Sequence, residues 1–497
     1  MELVDNLALG FQHAVTLQNL AYAFMGCLLG TLIGVLPGIG PLVTIAMLLP
    51  FTYGLAPLSS LIMLAGIYYG AQYGGSTTAI LVKLPGEASS VVTVLDGHEM
   101  ARQGRAGVAL TTAAVGSFFA GCVGTLILAA FALPLSEIAL NFHSAEYFSL
   151  MVLGLVGAVA MGSASLAKST AMIIVGILLG LVGLDLNSGI SRFTFNITEL
   201  WDGIDFITVA MGVFAVAEIV ANLEAKMAHE AGASKIHTLW PTKQDFRRMT
   251  PAILRGTALG AVIGALPGVG PTIASFGAYA LEKKVSKTPE IFGRGAIEGV
   301  AGPEAANNAA AQCAFIPTLA LGIPGSATMA LMLGAMMIHN IQPGPRVIVS
   351  DPALFWGLIA SMWIGNLMLI VLNLPLVGIW VKLLKVPYRA LYPAILAFCC
   401  IGVYSVGNSA FNVYVTAVFG LIGYVFYKLK CEPAPLMLGF VLGPMLEENF
   451  RRSMVLAKGD YLIFCTRPVS LALLSIAFLL VAWNVLSSIR KERRVGG

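Results

Sequence analysis

Two short clusters of small polar residues lie in otherwise apolar sequence, one in each half of the chain. The first is in GAQYGGSTTA, residues 70–79, and the second is in GPEAANNAAA, residues 302–311. Hydroxyl and amide groups can complete the oxygen shell of a hard cation or hydrogen-bond a carboxylate. Such residues also commonly pack membrane helices against one another. For any single residue, packing is therefore the favoured interpretation, and only the set repeated in both halves indicates a binding site. The candidate ligands are Gly74, Gly75, Ser76, Thr77, Thr78, Glu304, Asn307 and Asn308.

Glu304 is the most specific of these candidates. An acidic group beside an apolar run is costly unless it is functional or paired. The alternative is a helix-capping carboxylate, since the preceding Gly302 and Pro303 can begin a helix.

Helix breakers flank both clusters. GVLPGIGP at residues 34–41 and GALPGVGP at residues 264–271 precede them, and LPGEAS at 84–89 and IPGSAT at 323–328 follow them. Unwound backbone survives in a bilayer only where it is buried in protein or lines a wet cavity. Such a break exposes N–H groups that suit an anion and carbonyl oxygens that suit a cation. The candidate substrate and cation ligands at the breaks are Pro37, Gly38, Gly40, Pro41, Thr44, Pro267, Gly268, Gly270, Pro271, Thr272, Pro324, Gly325, Ser326 and Thr328.

The elements that position these residues are predicted to be membrane helices. The chain of 497 residues is 58% hydrophobic and 11% charged, with a mean hydropathy of +0.85, whereas soluble domains carry roughly 25% charged residues. The apolar runs are near the length that a spanning helix needs and predict an all-α polytopic membrane protein with about 11–13 passes. The basic tail RKERR follows the last apolar run, which predicts a cytoplasmic C-terminus.

The breakers and clusters form an internal repeat. Pro267 follows Pro37 at an offset of 230, Gly302 follows Gly70 at 232, and Gly322 follows Lys83 at 239. Residues 1–225 and 251–497 are therefore predicted as two structural repeats, joined by a polar cytoplasmic linker with a surface helix at 226–250. Paired Gly/Pro interruptions in two halves indicate the binding site of a secondary transporter. The pass count leaves parallel and inverted repeats open, and we favour inverted repeats.

Other polar residues carry weaker signals. Glu218 is either a lone membrane carboxylate or, as we favour, an interfacial residue beside the linker. Lys83 is the basic side chain nearest a breaker, but a snorkelling interfacial lysine is the favoured interpretation. The seven cysteines form no CxxC pair, and no tightly bound metal or other cofactor is expected.

Six strings together resemble the large membrane subunit of the tripartite tricarboxylate transporters, the TctA family. They are GVLPGIGP, YYGAQYGGSTTAIL, LPGEASSVVTVLDGHEMARQG, GALPGVGP, EGVAGPEAANNAAAQCAFIPTLALGIPGSATMALMLGAM and IQPGPR, in that order. The resemblance runs from about residue 26 to the end of IQPGPR, and the hydrophobic tail has the expected length.

The resemblance implies a multi-pass protein of the bacterial inner membrane that imports citrate-like di- and tricarboxylates. It implies two partners, a small membrane subunit of about four helices and a periplasmic solute-binding protein, and no nucleic acid. Uptake would be driven by Na⁺ or H⁺ through an elevator-like movement. The oligomeric state, the particular carboxylate and the coupling stoichiometry stay open.

Two other classes are weighed against this one. An ion or anion channel can also use broken helices as a filter, but two unlike halves suit alternating access better than a pore. An enzyme is not expected, because the apolar sequence contains no paired nucleophile and base. The clusters also lack an arginine or lysine, so helix N-termini and co-transported cations would have to neutralise an anionic substrate.

Overall fold

The computed structural model describes residues 2–36, 40–140, 142–161, 165–185, 188–224, 239–266, 270–344, 346–383 and 388–495. Within these ranges most residues are helical, and the strands form one antiparallel ladder that pairs Gly183 with Arg192 and Leu184 with Ser191. The predicted all-α class is therefore confirmed.

The described chain contains 22 α-helices. The first eleven are α1 Glu2–Ala14, α2 Leu17–Val35, α3 Pro41–Thr52, α4 Pro57–Val82, α5 Val91–Thr93, α6 Ala106–Leu140, α7 Ser144–Met161, α8 Leu166–Gly180, α9 Phe206–Ala210, α10 Ala217–Glu224 and α11 Lys243–Gly264. The others are α12 Gly270–Val285, α13 Glu298–Cys313, α14 Ala327–Ile338, α15 Arg346–Ser350, α16 Pro352–Asn373, α17 Val377–Leu383, α18 Tyr388–Gly407, α19 Ala410–Lys428, α20 Pro433–Leu456, α21 Ile463–Thr466 and α22 Pro468–Val495. The strands are β1 Gly183–Leu184 and β2 Ser191–Arg192. Tight 3₁₀ turns occupy Ala88–Ser90, Thr198–Leu200 and Pro289–Ile291, and wider π turns occupy Val94–His98, Ala101–Arg105, Met211–Val216 and Ile316–Leu321.

Several helices are long and apolar enough to cross a membrane. By length and composition, five qualify in the described chain: Leu17–Val35, Ala101–Ala132, Phe206–Glu224, Pro352–Asn373 and Ala410–Lys428. Shorter apolar helices, such as Pro41–Thr52 and Ala327–Ile338, lie beside them. A multi-pass membrane protein is thereby supported, and the count of 11–13 passes stays a prediction.

Two helix pairs with close backbone contact organise the interior. In the first pair, a Cβ atom added at Gly30 of α2 would lie 2.5 Å from the carbonyl oxygen of Ile67 in α4. In the second, a Cβ added at Gly260 of α11 would lie 2.3 Å from the carbonyl oxygen of Ala306 in α13. Glycines spaced four residues apart allow such approach between membrane helices. Only a glycine face on α2 and α11 permits these contacts.

These contacts change the alignment of the two halves. Gly34 packs on Ala71, and Gly264 packs on Ala310. Ala71 and Ala310 are 239 residues apart (310 − 71), the same offset as Lys83 and Gly322. The predicted equivalence of Gly70 with Gly302, at an offset of 232, therefore differs by seven residues from the equivalence that the packing indicates.

The predicted linker at 226–250 lies only partly within the described chain. Residues 225–238 are outside it, and α11 begins at Lys243 and continues to Gly264. The boundary drawn at residue 250 thus falls within one helix. A capping box formed by Thr242 and Asp245 fixes the start of that helix.

Candidate functional site

A cavity of about 650 Å³ lies where the breaks of the two halves meet. We call it the central cavity. Eight residues predicted from the sequence line it: Gly40, Pro41, Gly270, Pro271, Thr272, Pro324, Ser326 and Thr328. The structure therefore brings three of the predicted breaks to one place. They are the break that ends at Pro41, the break that ends at Pro271, and the Pro-Gly break at Pro324.

The first break separates α2 from α3. Helix α2 ends at Val35, and α3 begins at Pro41 with Gly40 as its N-cap. Proline suits this position because the first N–H groups of a helix have no partner within it. The Thr44 hydroxyl donates to the Gly40 carbonyl at 3.1 Å, and Thr44 is fully buried. Thr44 thus stabilises the turn and does not line the cavity.

The second break separates α11 from α12. Helix α12 begins at Gly270, whose φ of +67° lies in the left-handed region, where a side chain would be strained. Pro271 and Thr272 follow in the first turn and line the central cavity. The remaining breaker residues, Pro37, Gly38, Pro267 and Gly268, lie outside the described residues.

The two Pro-Gly breaks have matching backbone geometry. Lys83 ends α4 with φ +61°, and Gly322 ends the π turn Ile316–Leu321 with φ +71°. The next helical segments begin at the N-caps Glu87 and Ser326, and Ser326 accepts a hydrogen bond from the Met329 N–H at 3.3 Å. Lys83 is exposed and does not line the cavity.

Gly325 lies behind this surface. A Cβ added to it would lie 3.1 Å from the side chain of Ala314. Of the predicted Pro-Gly pair, Pro324 therefore lines the cavity, and Gly325 packs against Ala314 behind it.

Five helical N-termini of the described chain surround the central cavity. The first turns of α3, α12, α14 and α20 line it, and so does the 3₁₀ turn Ala88–Ser90 that leads into α5. Free N–H groups and the helix dipole give each N-terminus a partial positive charge. Together they can attract an anion without a basic side chain.

The ionisable side chains of the cavity are acidic. Among the described residues that line it, Glu87, Glu218 and Glu432 carry the charge, and no lysine or arginine is present. Carboxylates at the edge of an anion site offer oxygen ligands to a cation that accompanies the anion. Glu218, for which an interfacial position was the favoured interpretation, lines the cavity, because α9, the π turn and α10 continue one another and carry it to the cavity wall.

A hydrogen-bonded chain connects the cavity wall to the second half. The Ser89 hydroxyl donates to Gln72 Oε1 at 3.1 Å and also contacts Glu87 Oε1. The Asn307 amide donates to the same Glu87 oxygen at 3.4 Å. Asn307 thus reaches the site through Glu87, and Gln72 lines the cavity directly.

Most of the predicted polar cluster lies one layer deeper, away from the central cavity. Ser76 Oγ donates to Glu304 Oε2 at 2.5 Å, and Thr93 Oγ1 donates to the other carboxylate oxygen. The Asn308 amide donates to Ser117 Oγ at 2.7 Å. These residues form a buried polar layer between the two halves.

Glu304 does not cap a helix. Helix α13 already begins at Glu298, and Glu304 is 1% exposed within it. The alternative drawn from Gly302 and Pro303 is therefore wrong, because the helix begins upstream of that pair.

The rest of the cluster holds the helices together. Thr78 Oγ1 donates to the Val35 carbonyl at 2.8 Å and so caps the end of α2. Gly74 lies against the Thr31 carbonyl, and Gly75 lies against the Glu87 side chain. Thr77 Oγ1 contacts the Tyr73 carbonyl at 3.5 Å. The sequence strings indicated all four residues, but they do not distinguish a residue that packs helices from one that lines the cavity.

Sequence reasoning missed three of the polar lining residues, Tyr68, Gln72 and Glu432. Gln72 is within the GAQYGGSTTA string and could have been found as its longest polar side chain. Glu432 is followed by three residues that include two prolines, and only the packing of α20 brings it to the cavity.

A second cavity of about 800 Å³ lies near the other ends of two helices that line the central one. Helix α14 contributes Met337 to it, and α20 contributes Pro444 and Glu447. The same two helices contribute Thr328 and Leu438 to the central cavity. The cavities are thus separated along α14 and α20.

Broken helices around a cavity in a multi-pass helical membrane protein are the arrangement that secondary transporters use. A sequence model of the tripartite tricarboxylate transporter TctA family matches residues 20–438. The chain therefore belongs to the TctA family.

Two relatives come from Agrobacterium vitis. The chain is 57% identical over 493 residues, 99% of its length, to an uncharacterized 52.8 kDa protein in the TAR-I ttuC' 3' region, and it covers 98% of that protein. It is also 57% identical over 234 residues, 47% of its length, to an uncharacterized protein in the TAR-II ttuC' 3' region, of which 97% is covered. No solved structure matches the chain.

Proposed function

We propose that this chain is the large membrane subunit of a cation-coupled importer of citrate-like di- and tricarboxylates. The single observation that carries the proposal is the set of five helical N-termini around the central cavity. A multiply charged carboxylate can bind there through N–H groups. Glu87, Glu218 and Glu432 favour a cation beside it, Na⁺ or alternatively H⁺, because their negative charge would otherwise repel the substrate.

The assembly follows from the family. The chain works in the bacterial inner membrane with a small membrane subunit of about four helices, and a periplasmic solute-binding protein delivers the substrate. Its C-terminus is cytoplasmic. Two inverted repeats carry the site, and an elevator-like movement exposes it in turn to each side. The two cavities separated along α14 and α20 support such alternation.

Uptake into proteoliposomes tests the proposal. Vesicles would contain this chain and its small partner, with the binding protein outside, and labelled di- and tricarboxylates would be supplied under an imposed Na⁺ or H⁺ gradient. Accumulation above the external concentration is expected only with one of these gradients. A channel would instead equilibrate the substrate whether or not a cation gradient is present.

Two variants test the buried polar layer. Ser76→Ala removes a donor to Glu304, and Asn308→Ala removes the donor to Ser117. A hydrogen bond to a charged group contributes about 1.5–3 kcal/mol, so we expect uptake by Ser76→Ala to fall by about tenfold or more. A smaller fall is expected for Asn308→Ala. Ser361→Ala, which removes a buried hydroxyl bonded to Leu358, is the control. Normal uptake by both variants would contradict the assignment.

A further inference from the structure

The buried polar layer contains an enclosed space of its own, separate from the central cavity. Its volume is about 10 Å³, and it lies between α4, α6 and the C-terminal end of α16. Five polar side chains line it: Tyr73, Ser76, Thr77, Ser117 and Asn373. Each is at least nine-tenths buried. The space is at the lower limit of the roughly 10–15 Å³ that a water molecule requires.

Two polar atoms of these side chains lack a hydrogen-bond partner in the described chain. Tyr73 Oη and Asn373 Oδ1 are buried and unpaired among the described residues. The Asn373 amide nitrogen is already used, because it donates to the Leu369 carbonyl at 2.9 Å. A buried polar atom without a partner costs about 1–3 kcal/mol. A cation that these oxygen atoms coordinate would offset this cost.

The neighbouring carboxylate balances a positive charge. Glu304 accepts hydrogen bonds from Ser76 and Thr93, and no lysine or arginine pairs with it in the described part of the chain. The Ser76 oxygen therefore lies between Glu304 and the enclosed space. Hydroxyl and carboxamide oxygens with one nearby carboxylate suit a hard cation of low charge.

We infer that Tyr73, Ser76, Thr77, Ser117 and Asn373 form a binding site for one dehydrated Na⁺ ion. The site deepens the proposed function, on which its role as a coupling site rests. Thr93 also contacts Glu304 and lies on the helical segment that begins at the cavity-lining Ala88 and Ser89. Hydrogen bonds through Ser76, Glu304 and Thr93 thus connect the proposed cation site to the wall of the central cavity.

Binding is tested on the purified full chain in detergent, without substrate or gradient. The midpoint of thermal unfolding is measured in NaCl and in choline chloride at equal ionic strength. Na⁺ is expected to raise the midpoint in a saturable manner, because a ligand that binds only the folded state stabilises it by mass action. Equal midpoints in the two salts at every concentration would overturn the inference and leave water as the occupant.

Variants locate the site. Asn373→Ala is expected to weaken the apparent Na⁺ affinity at least tenfold, whereas Ser361→Ala on the same helix is expected to keep the wild-type response. If Asn373→Ala does not fold, Thr77→Val removes a hydroxyl with a similar side-chain volume and a weaker internal contact. A wild-type Na⁺ response in the folded variant would overturn the assignment. Because no transport is measured, failure here leaves the uptake proposal standing, and failed uptake leaves cation binding standing.

Discussion

The two broken-helix units, residues 17–98 and 243–338, have similar backbone breaks and different side chains at the cavity. The first supplies Gln72, Glu87 and Ser89, and the second supplies Thr272, Ser326 and Thr328. The first unit thus contributes a carboxylate, an amide and a hydroxyl, whereas these three side chains of the second unit are all hydroxyls. Backbone geometry is shared because both units must expose helix ends, whereas the chemistry at those ends is free to diverge.

The largest expected effect tests what the units share. Gly30→Val and Gly260→Val each place a side chain within 2.5 Å of a backbone carbonyl oxygen. Overpacking against backbone, which cannot rotate away, should destabilise each variant by about 3 kcal/mol or more. The thermal unfolding midpoint in detergent measures this, with Gly277→Ala as control because its added Cβ meets side chains no nearer than 3.5 Å. A large loss of stability in only one of the two variants would show that the two units do not share this close packing.

The next prediction concerns an anchor that only the first unit has. Asp96 is fully buried, and one of its oxygens accepts N–H bonds of 2.8–2.9 Å from Gly293, Gly295 and Ala296. Its other oxygen accepts from the Tyr279 hydroxyl at 2.9 Å. The position 239 residues later is Ala335.

Asp96 lies in the first unit but binds backbone N–H groups of the second, so its replacement should destabilise the second unit. Asp96→Ala leaves four donors unpaired and is expected to destabilise the protein by about 2–3 kcal/mol. Asp96→Asn, which keeps an acceptor oxygen, should lose less. Unfolding midpoints of both variants are compared with exposed Asp460→Ala. An unchanged midpoint for Asp96→Ala would show that the loop at 293–296 does not depend on this carboxylate.

A smaller effect separates the two GxGP breaks. Gly270 has φ +67°, whereas Gly40 has φ −80° and no atom within 4 Å of an added Cβ. Gly270→Ala should cost about 1–2 kcal/mol because an L-residue is strained in the left-handed region. Gly40→Ala should be nearly neutral in unfolding midpoint. Equal losses at both positions would mean that the two breaks share their conformation after all.

The positions of the breaks could be predicted from sequence because glycine and proline act locally. Helices α2 and α11 end beside the predicted strings, and Gly40, Gly270 and Ser326 line one cavity. The depth of each polar residue could not be predicted, since it depends on how α4 and α13 pack. For the same reason, the favoured interpretation of Glu218 did not place it at the cavity, and Glu432 was missed. Their place at the cavity is set by α9, α10 and α20, which are distant in sequence from the breaks.

The smallest expected effect concerns how the first helix of each unit begins. Thr16 caps α2 without an acidic partner, whereas Thr242 caps α11 together with Asp245. Burial raises the pKa of Asp245, but the Thr242 N–H, the Arg105 guanidinium and the Thr242 hydroxyl outweigh burial and lower it below its usual value. The stabilisation is therefore present above the ordinary aspartate pKa of about 3.9 and is lost as the pH falls through the lowered pKa.

Asp245→Asn should accordingly remove part of the acid sensitivity. The wild-type unfolding midpoint is expected to fall more steeply than that of Asp245→Asn as the pH is lowered from 6 toward 3, with parallel curves above about pH 5. Thr16→Ala should lower the midpoint by a similar amount at every pH, because no carboxylate takes part in its cap. Parallel curves for wild type and Asp245→Asn throughout would show that the Arg105 contact at 2.6 Å does not stabilise the start of the second unit.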